Sequence, residues 1–241
     1  MSRPPLSVVM PVYNEAAGVK DVVTDVVASV LDAVPGSELV IVDDRSTDDT
    51  LAILRELAAL DPRIRVLAND VNVGHGRSVR RGMDATTGEW IFHLDSDGQV
   101  VVSEFALLWE RRDQGELVLG VRVSRQDPLH RRMLTRVTRA LVSALARQPV
   151  RDANVPFKLI QRSLYEHLQP SIPETTFAPS ILLVLGAHRS GARVTEVPTT
   201  HLPRAHGQST LRPARLAKVI VRCARETLQF TRRPVAPHVR H

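Results

Sequence analysis

Cysteine is almost missing from this chain of 241 residues: Cys223 is its single thiol. One thiol closes no intramolecular disulfide, so a small disulfide-stapled fold is excluded, and a reducing compartment such as the cytoplasm is expected. Aromatic residues are scarce at 4%, too few for the stacking platforms that hold single-stranded nucleic acid. Helix-turn-helix, zinc-finger and RNP signatures are missing too, so the sequence reads as having no nucleic acid partner. No apolar run approaches the roughly 20 residues that span a bilayer. Residues 1–5 lead straight into a strand-like run, without the charged-then-apolar pattern of a secretory leader. Lysine occurs only at Lys20, Lys158 and Lys218, so arginine carries nearly all of the net charge of +6. The planar guanidinium matches phosphate oxygens in pairs, which points to anionic lipid or to small phosphorylated substrates.

The length suits one α/β domain, with 43% hydrophobic residues to build its core. Strand and helix patterns alternate through the first half, predicting a mostly parallel central sheet with helices on both faces. Strands are expected at Leu6 to Val12, Glu38 to Val42, Ile64 to Ala68, Trp90 to Leu94 and Leu117 to Val123. Helices are expected over about 17–34, after Ser46 with Asp49 completing a capping-box-like start, and from Gly74-His75-Gly76 to about Ala85. The second half is less regular. It offers a helix over 128–147, a loop-like stretch from Arg151 to Lys158, a helix ending near His188, a strand from Val194 to Val197, and a last helix from about Pro213 to Phe230.

Ligands of open α/β sheets bind beyond the carboxyl ends of the strands, and polar clusters fall at those ends: Tyr13-Asn14-Glu15, Asp43-Asp44, Asn72 to Arg77, and Asp95 to Gln99. The last is the most telling. Asp95 and Asp97 leave the apolar run Trp90 to Leu94 one residue apart, so one loop presents both carboxylates. Mg²⁺ favours one or two protein carboxylates while substrate phosphates supply further oxygens, so the pair predicts a metal–diphosphate site. None of the histidines shows zinc-ligand spacing, and His75, His201 and His206 read as structural, with only His201 in a motif-like segment.

These segments together resemble family-two glycosyltransferases of the GT-A fold. The resemblance rests on Ser7-Val8-Val9-Met10-Pro11-Val12-Tyr13-Asn14-Glu15, Val40-Ile41-Val42-Asp43-Asp44-Arg45-Ser46-Thr47-Asp48, Asn72-Val73-Gly74 and Asp95-Ser96-Asp97, in that order over residues 6–99. Asp97-Gly98-Gln99, Glu196-Val197-Pro198 and Arg204-Ala205-His206-Gly207-Gln208-Ser209 look like the polyprenyl-phosphate (dolichyl-phosphate) mannose synthase branch. The resemblance implies one GT-A domain over 1–211, with a nucleotide-sugar half at 6–99 and an acceptor half at 100–211, followed by a basic amphipathic helix and tail at 212–241. It implies inverting transfer of a hexose, mannose from GDP-mannose first, from a nucleotide-diphospho-sugar donor to a polyprenyl-phosphate acceptor. Pro11, Tyr13, Glu15, Asp43, Asp44, Asn72, Arg77, Asp95 and Ser96 would hold the donor, and Asp95, Asp97 and Gln99 would hold Mg²⁺ or Mn²⁺.

A phosphate acceptor is already an anion near neutral pH and needs cations to position it, whereas a hydroxyl acceptor needs a general base. Arg122, Arg125, Arg131, Lys158, Arg204 and Ser209 are the candidate acceptor-phosphate contacts. Asp97, Asp152, Arg122 and Arg131 are the candidates nearest the chemistry. With a hydroxyl acceptor, such as a polysaccharide, Asp152 would be the base. A sugar-1-phosphate nucleotidyltransferase would want a basic glycine-rich loop where the acidic Tyr13-Asn14-Glu15 stands. A non-catalytic lipid-surface module is the remaining alternative. Basic residues along the last helix can meet anionic lipid at roughly 1 kcal/mol each, so the expected place is the cytoplasmic face of a membrane, peripherally. Packing of the helix's apolar side, Leu216, Val219, Ile220, Cys223 and Leu228, against the domain is the competing expectation.

Overall fold

Strand β1 (Leu6–Val12) is buried at all seven positions, and a strand with no polar face must be covered on both sides. The computed structural model describes residues 4–122, 139–202 and 213–238, with the backbone alone for 213–220. Around β1 lie β2 (Glu38–Asp43), β3 (Ile64–Ala68), β4 (Trp90–Leu94), β5 (Leu117–Arg122), β6 (Phe157–Gln161) and β7 (Val194–Thr199), in the order β3-β2-β1-β4-β6-β5-β7. All run parallel except β6, which pairs antiparallel with β4 on one side and β5 on the other. The mostly parallel α/β sheet agrees with the alternation seen in the sequence.

Side chains alternate faces along a strand, and this divides the core in two. Leu6, Val8, Met10 and Val12 of β1 join Phe92 and Leu94 of β4 and Phe157 and Leu159 of β6 on one face. Helices α1 (Val19–Val26), α2 (Thr50–Leu60) and α4 (Phe105–Trp109) cover that face. Several of the few aromatics collect there: the Phe92 ring lies 4.8 Å from Phe105 and 4.9 Å from Phe157, centre to centre. Val9, Ile91, Leu117, Leu119 and Ile160 point to the opposite face. It is covered by α3 (His75–Asp84), α5 (helical residues 139–146), α6 (Arg162–Leu168), α7 (Pro179–Ser190) and the end of α8 (Pro213–Thr231).

Four details depart from the sequence reading. The first helix is shorter than expected and passes into a π-helical turn at Val27–Leu31. Ser46 does not cap α2: its Oγ accepts a hydrogen bond from the Asn14 N–H, and Asp49 flanks the helix start without a side-chain cap. The supposed loop up to Lys158 becomes strand at Phe157, because β4 and β5 offer hydrogen-bonding edges on both sides of it. Helix α6 was not anticipated at all. The helix expected over 128–147 is described only from residue 139.

The C-terminal helix packs on the domain through Cys223, Thr227 and Phe230, which share one side at helical spacing. Phe230 is buried in the second core, and burial pushes the Cys223 thiol up to about 11. Glu226 accepts hydrogen bonds from Thr176 Oγ1 and the Phe177 N–H, both 2.8 Å. Beyond the helix the chain stays docked, with His238 paired to Glu116 at 3.0 Å. Val221 and Leu228 remain exposed. Among the described residues, no helix is long and apolar enough to cross a membrane.

Candidate functional site

The carboxyl ends of β1, β2, β3 and β4 all open on one edge, because these strands run parallel and in close register. Their following loops are fastened to one another. Asn14 adopts a left-handed φ of 54° and its Oδ1 accepts from the Thr47 N–H at 2.8 Å; Arg45 in the facing loop has φ 64°. Left-handed backbone is uncommon outside glycine, and two such residues here fix how the loops turn. Tyr13 is exposed above them and Pro11 is buried in β1. The Glu15 N–H donates to Thr50 Oγ1, joining the first loop to the start of α2.

The two acidic residues ending β2 do different work. Asp44 is buried, and its carboxylate accepts from Asn69 Nδ2 at 2.8 Å, the Val73 N–H at 2.9 Å and the Gly74 N–H at 2.8 Å. It pins the loop that launches α3, and Asn72 returns the contact by donating to the Asp44 carbonyl. Gly74 has φ 90°, a conformation only glycine adopts without strain. Asp43 instead accepts from the Ser46 N–H through Oδ2, while Oδ1 is buried without a hydrogen-bond partner among the described residues. Of the two, Asp43 has an oxygen to offer a ligand. Arg77 is exposed on α3.

Asp95 is the hub of the candidate site. Burial raises its pKa and Asp97 adds to the rise, while His75, Lys158 and Arg122 oppose it. Asp97 follows in a loop where its Oδ1 accepts from the Gln99 N–H, and Ser96 is buried between the two carboxylates. Gly98, with φ 66°, makes the turn. Gln99 is tied to the segment after β7: Leu202 N–H donates to its carbonyl and its Nε2 donates to the Leu202 carbonyl. A cation suits this place, since Asp95 Oδ1 and both ring nitrogens of His93 are buried without hydrogen-bond partners among the described residues.

The cationic side comes from β5 and β6. Arg122, the last residue of β5, donates to Asp152 Oδ2 through Nε at 2.9 Å and pairs through Nη2 at 2.7 Å, with both side chains largely buried. Lys158 faces the second core side of β6, opposite His93 of β4 and Leu119 of β5. It has no exposed surface, and burial lowers its pKa to about 7 against the upward pull of Asp95 and Asp152. Its Nζ is buried without a hydrogen-bond partner among the described residues, so it acts on those two carboxylates through charge alone. Breaking the Arg122–Asp152 pair from either side is expected to destabilise the fold by about 3–5 kcal/mol, the range for an orphaned buried charge. In a double-mutant cycle of Arg122→Gln and Asp152→Asn, the double variant should lose clearly less than the sum of the singles; additive losses would refute the coupling.

The structure thus gathers Asp95, Asp97, Arg122, Asp152 and Lys158 at one end of the crevice, and Tyr13, Glu15, Asp43 and Asn72 along its edge. Arg125, Arg131, Arg204 and Ser209 lie outside the described residues. The sequence reading passed over one group. His75 opens α3 and His93 sits in β4, and their ligating atoms lie with that of Asp95 within 4.8 Å of one another. The signal was a polar histidine inside the apolar run Trp90 to Leu94; His75 is too distant in sequence for a spacing rule to join it.

Comparison with known proteins agrees with this geometry. Over 207 residues the chain is 31% identical to the undecaprenyl-phosphate 4-deoxy-4-formamido-L-arabinose transferase of Edwardsiella ictaluri, covering 85% of this chain and 62% of that protein. It is 28% identical over 208 residues to glycosyltransferase AglD of Haloferax volcanii, covering 83% of this chain and 33% of that one. The chain therefore spans less than two thirds of the length of these relatives. Among solved structures, glucosyl-3-phosphoglycerate synthase of Mycobacterium tuberculosis superposes with a TM-score of 0.70 at 24% identity, over 96% of this chain and 81% of that chain, and shares the fold. The model of the family described as "Glycosyl transferase family 2" matches residues 7–172. With the sheet, the crevice and the paired carboxylates in place, that match identifies the chain as a member of glycosyl transferase family 2.

Proposed function

We propose that this chain transfers a hexose from a nucleotide-diphospho-sugar to a polyprenyl phosphate, with inversion at the anomeric carbon. The observation that carries the choice of acceptor is the Arg122–Asp152 pair beside Lys158. Asp152, which would be the base for a hydroxyl acceptor, is engaged by a guanidinium. A phosphate acceptor arrives as an anion and asks for positive charge, for which Arg122, Arg125, Arg131 and Arg204 are the candidates. The names of the Edwardsiella relative and its counterparts, which act with undecaprenyl phosphate, support the same class.

In this reading Asp43, Glu15 and Tyr13 bind the nucleoside, with Asp44 and Asn72 shaping the loop around it. Asp95, Asp97 and Gln99 hold Mg²⁺ or Mn²⁺, which when bound neutralises charge on the departing diphosphate. Arg122 orients the acceptor phosphate with help from Arg125, Arg131, Arg204 and Ser209. The donor we carry forward is GDP-mannose. The exposed apolar residues of α8 among its basic ones suit a peripheral stay on the cytoplasmic face of a membrane, where a lipid-linked acceptor is found.

The test incubates the protein and Mn²⁺ with radiolabelled donors and polyprenyl phosphate. The donor panel holds GDP-mannose, UDP-glucose and a nucleotide-linked 4-deoxy-4-formamido-L-arabinose. Label should enter the organic phase with one of the two hexose donors; label from the arabinose donor alone, a pentose, keeps the acceptor and overturns the hexose. No organic-phase label with any donor overturns the acceptor. Transfer to a hydroxyl acceptor that Asp152→Asn abolishes, with donor binding kept, selects the polysaccharide-type reaction instead.

A further inference from the structure

We propose that His75 and His93 are metal ligands, so that the cation at Asp95 is a transition metal held partly by imidazole nitrogen. This deepens the reading above by naming the class of cation; it does not depend on the acceptor.

Three observations carry it. Nε2 of His75 and Nε2 of His93 each lie 3.7 Å from Asp95 Oδ1. That is too long for a hydrogen bond, yet it suits two ligands around one ion, since metal–nitrogen and metal–oxygen bonds near 2.0–2.2 Å place neighbouring ligand atoms about 3–4 Å apart. The His93 side chain is fully buried, and neither of its nitrogens has a hydrogen-bond partner among the described residues; Asp95 Oδ1 is in the same position. A buried imidazole so placed needs something to satisfy it. The second residue is already aimed. His75 is the first residue of α3, and the hydrogen bonds from Gly74 and Val73 to Asp44 fix where that helix starts. Its ring stands 6.4 Å from that of His93, centre to centre, on the open side of the crevice.

The donor set discriminates between ions. Two imidazoles added to the oxygen donors of Asp95, Asp97 and Gln99 suit transition ions such as Zn²⁺ and Co²⁺, whereas Mg²⁺ keeps oxygen ligands and water. His93 supplies the inner ligand that a bare acidic pair lacks, and His75 closes from solvent. The strand places one, the helix start the other.

The experiment uses the whole chain stripped of metal, with no donor or acceptor present, so that its outcome is separate from that of the transfer assay. Co²⁺ binding is followed by visible absorption, and the ligands of bound Mn²⁺ by electron spin-echo modulation from imidazole nitrogen. Wild type should bind Co²⁺ with a nitrogen-ligand spectrum, and about a hundredfold excess of Mg²⁺ should leave it in place. His75→Ala, an exposed position that leaves the core intact, should weaken Co²⁺ by more than ~10-fold, at least the loss typical of outer-shell partners. His93→Gln added to His75→Ala should remove the remaining imidazole modulation. Bound Mn²⁺ without nitrogen modulation in wild type overturns the proposal. So does Co²⁺ affinity unchanged in His75→Ala, or no Co²⁺ binding at all.

Discussion

Asp44→Ala should lower the stability of the fold by roughly 3–5 kcal/mol, because three donors converge on one carboxylate and all three lose it together. A hydrogen bond to a charged group contributes about 1.5–3 kcal/mol, and a buried donor left unsatisfied costs about 1–3 kcal/mol. Simple addition would overshoot, since the Val73 and Gly74 amides are half-buried and gain water. For a domain of this size each kcal/mol moves Tm by about 2–4 °C, so the midpoint should fall by about 10 °C. Asp44→Asn keeps an acceptor oxygen and should lose about half as much. Hydrogen exchange supplies the local reading: the amides of residues 73–78 should exchange faster in Asp44→Ala, while those of β5 and β7 keep their ranking. A loss below 1 kcal/mol would show that the carboxylate does not hold this loop.

Lys158→Met should do the opposite and stabilise the protein, by an amount that depends on pH. Lys158 titrates near 7 in the fold and near 10.5 in an unfolded chain. Below about pH 7 both states carry the proton, and the folded state bears the full penalty of a buried ammonium. Between these values the unfolded chain binds the proton and the folded chain does not, so wild-type stability rises with pH. Methionine does not titrate. Its advantage is therefore greatest below about pH 7 and shrinks as pH climbs toward 10.5. Replacing buried charge by well-packed apolar volume gains about 1–4 kcal/mol, and that is the increment expected in urea unfolding on the acid side. Sugar transfer should fall in the same variant, because Asp95 and Asp152 lose a cation whose charge acts on both. More stability with less activity is what a residue kept for function produces. An increment that stays flat across this pH range would refute the buried-charge account.

The half of the chain up to Gln99 was legible because its elements are local. Uninterrupted apolar runs end in polar clusters, and a parallel sheet turns those ends into one edge. The residues Asp95 and Asp97 could be found from that pattern alone. The structure then revised what the pattern could not resolve. Asp43 and Asp44 look alike in sequence, and only the hydrogen bonds to residues 69–74 separate a ligand candidate from a structural pin. Lys158 closes the stretch from Arg151 that reads as loop-like, where Pro156 disfavours a continuous helix. Two flanking strands override that preference, as sheet context commonly does. His93 was visible as an oddity, but its meaning required His75 to be brought across from another element.

The antiparallel β6 carries a consequence for synthesis. Residues 157–161 separate two strands, β4 and β5, that both leave the ribosome before them. Until β6 arrives, β4 and β5 each present an uncovered row of backbone donors and acceptors, and such edges recruit other chains. Closing them draws together segments far apart in sequence, the slow kind of step in folding. The half of the chain up to Gln99 can thus be largely assembled while the sheet is still open at its middle, so the emerging chain is most prone to aggregate just before β6 emerges. Strengthening β6, rather than the strands already in place, is the route to a chain that survives its own synthesis.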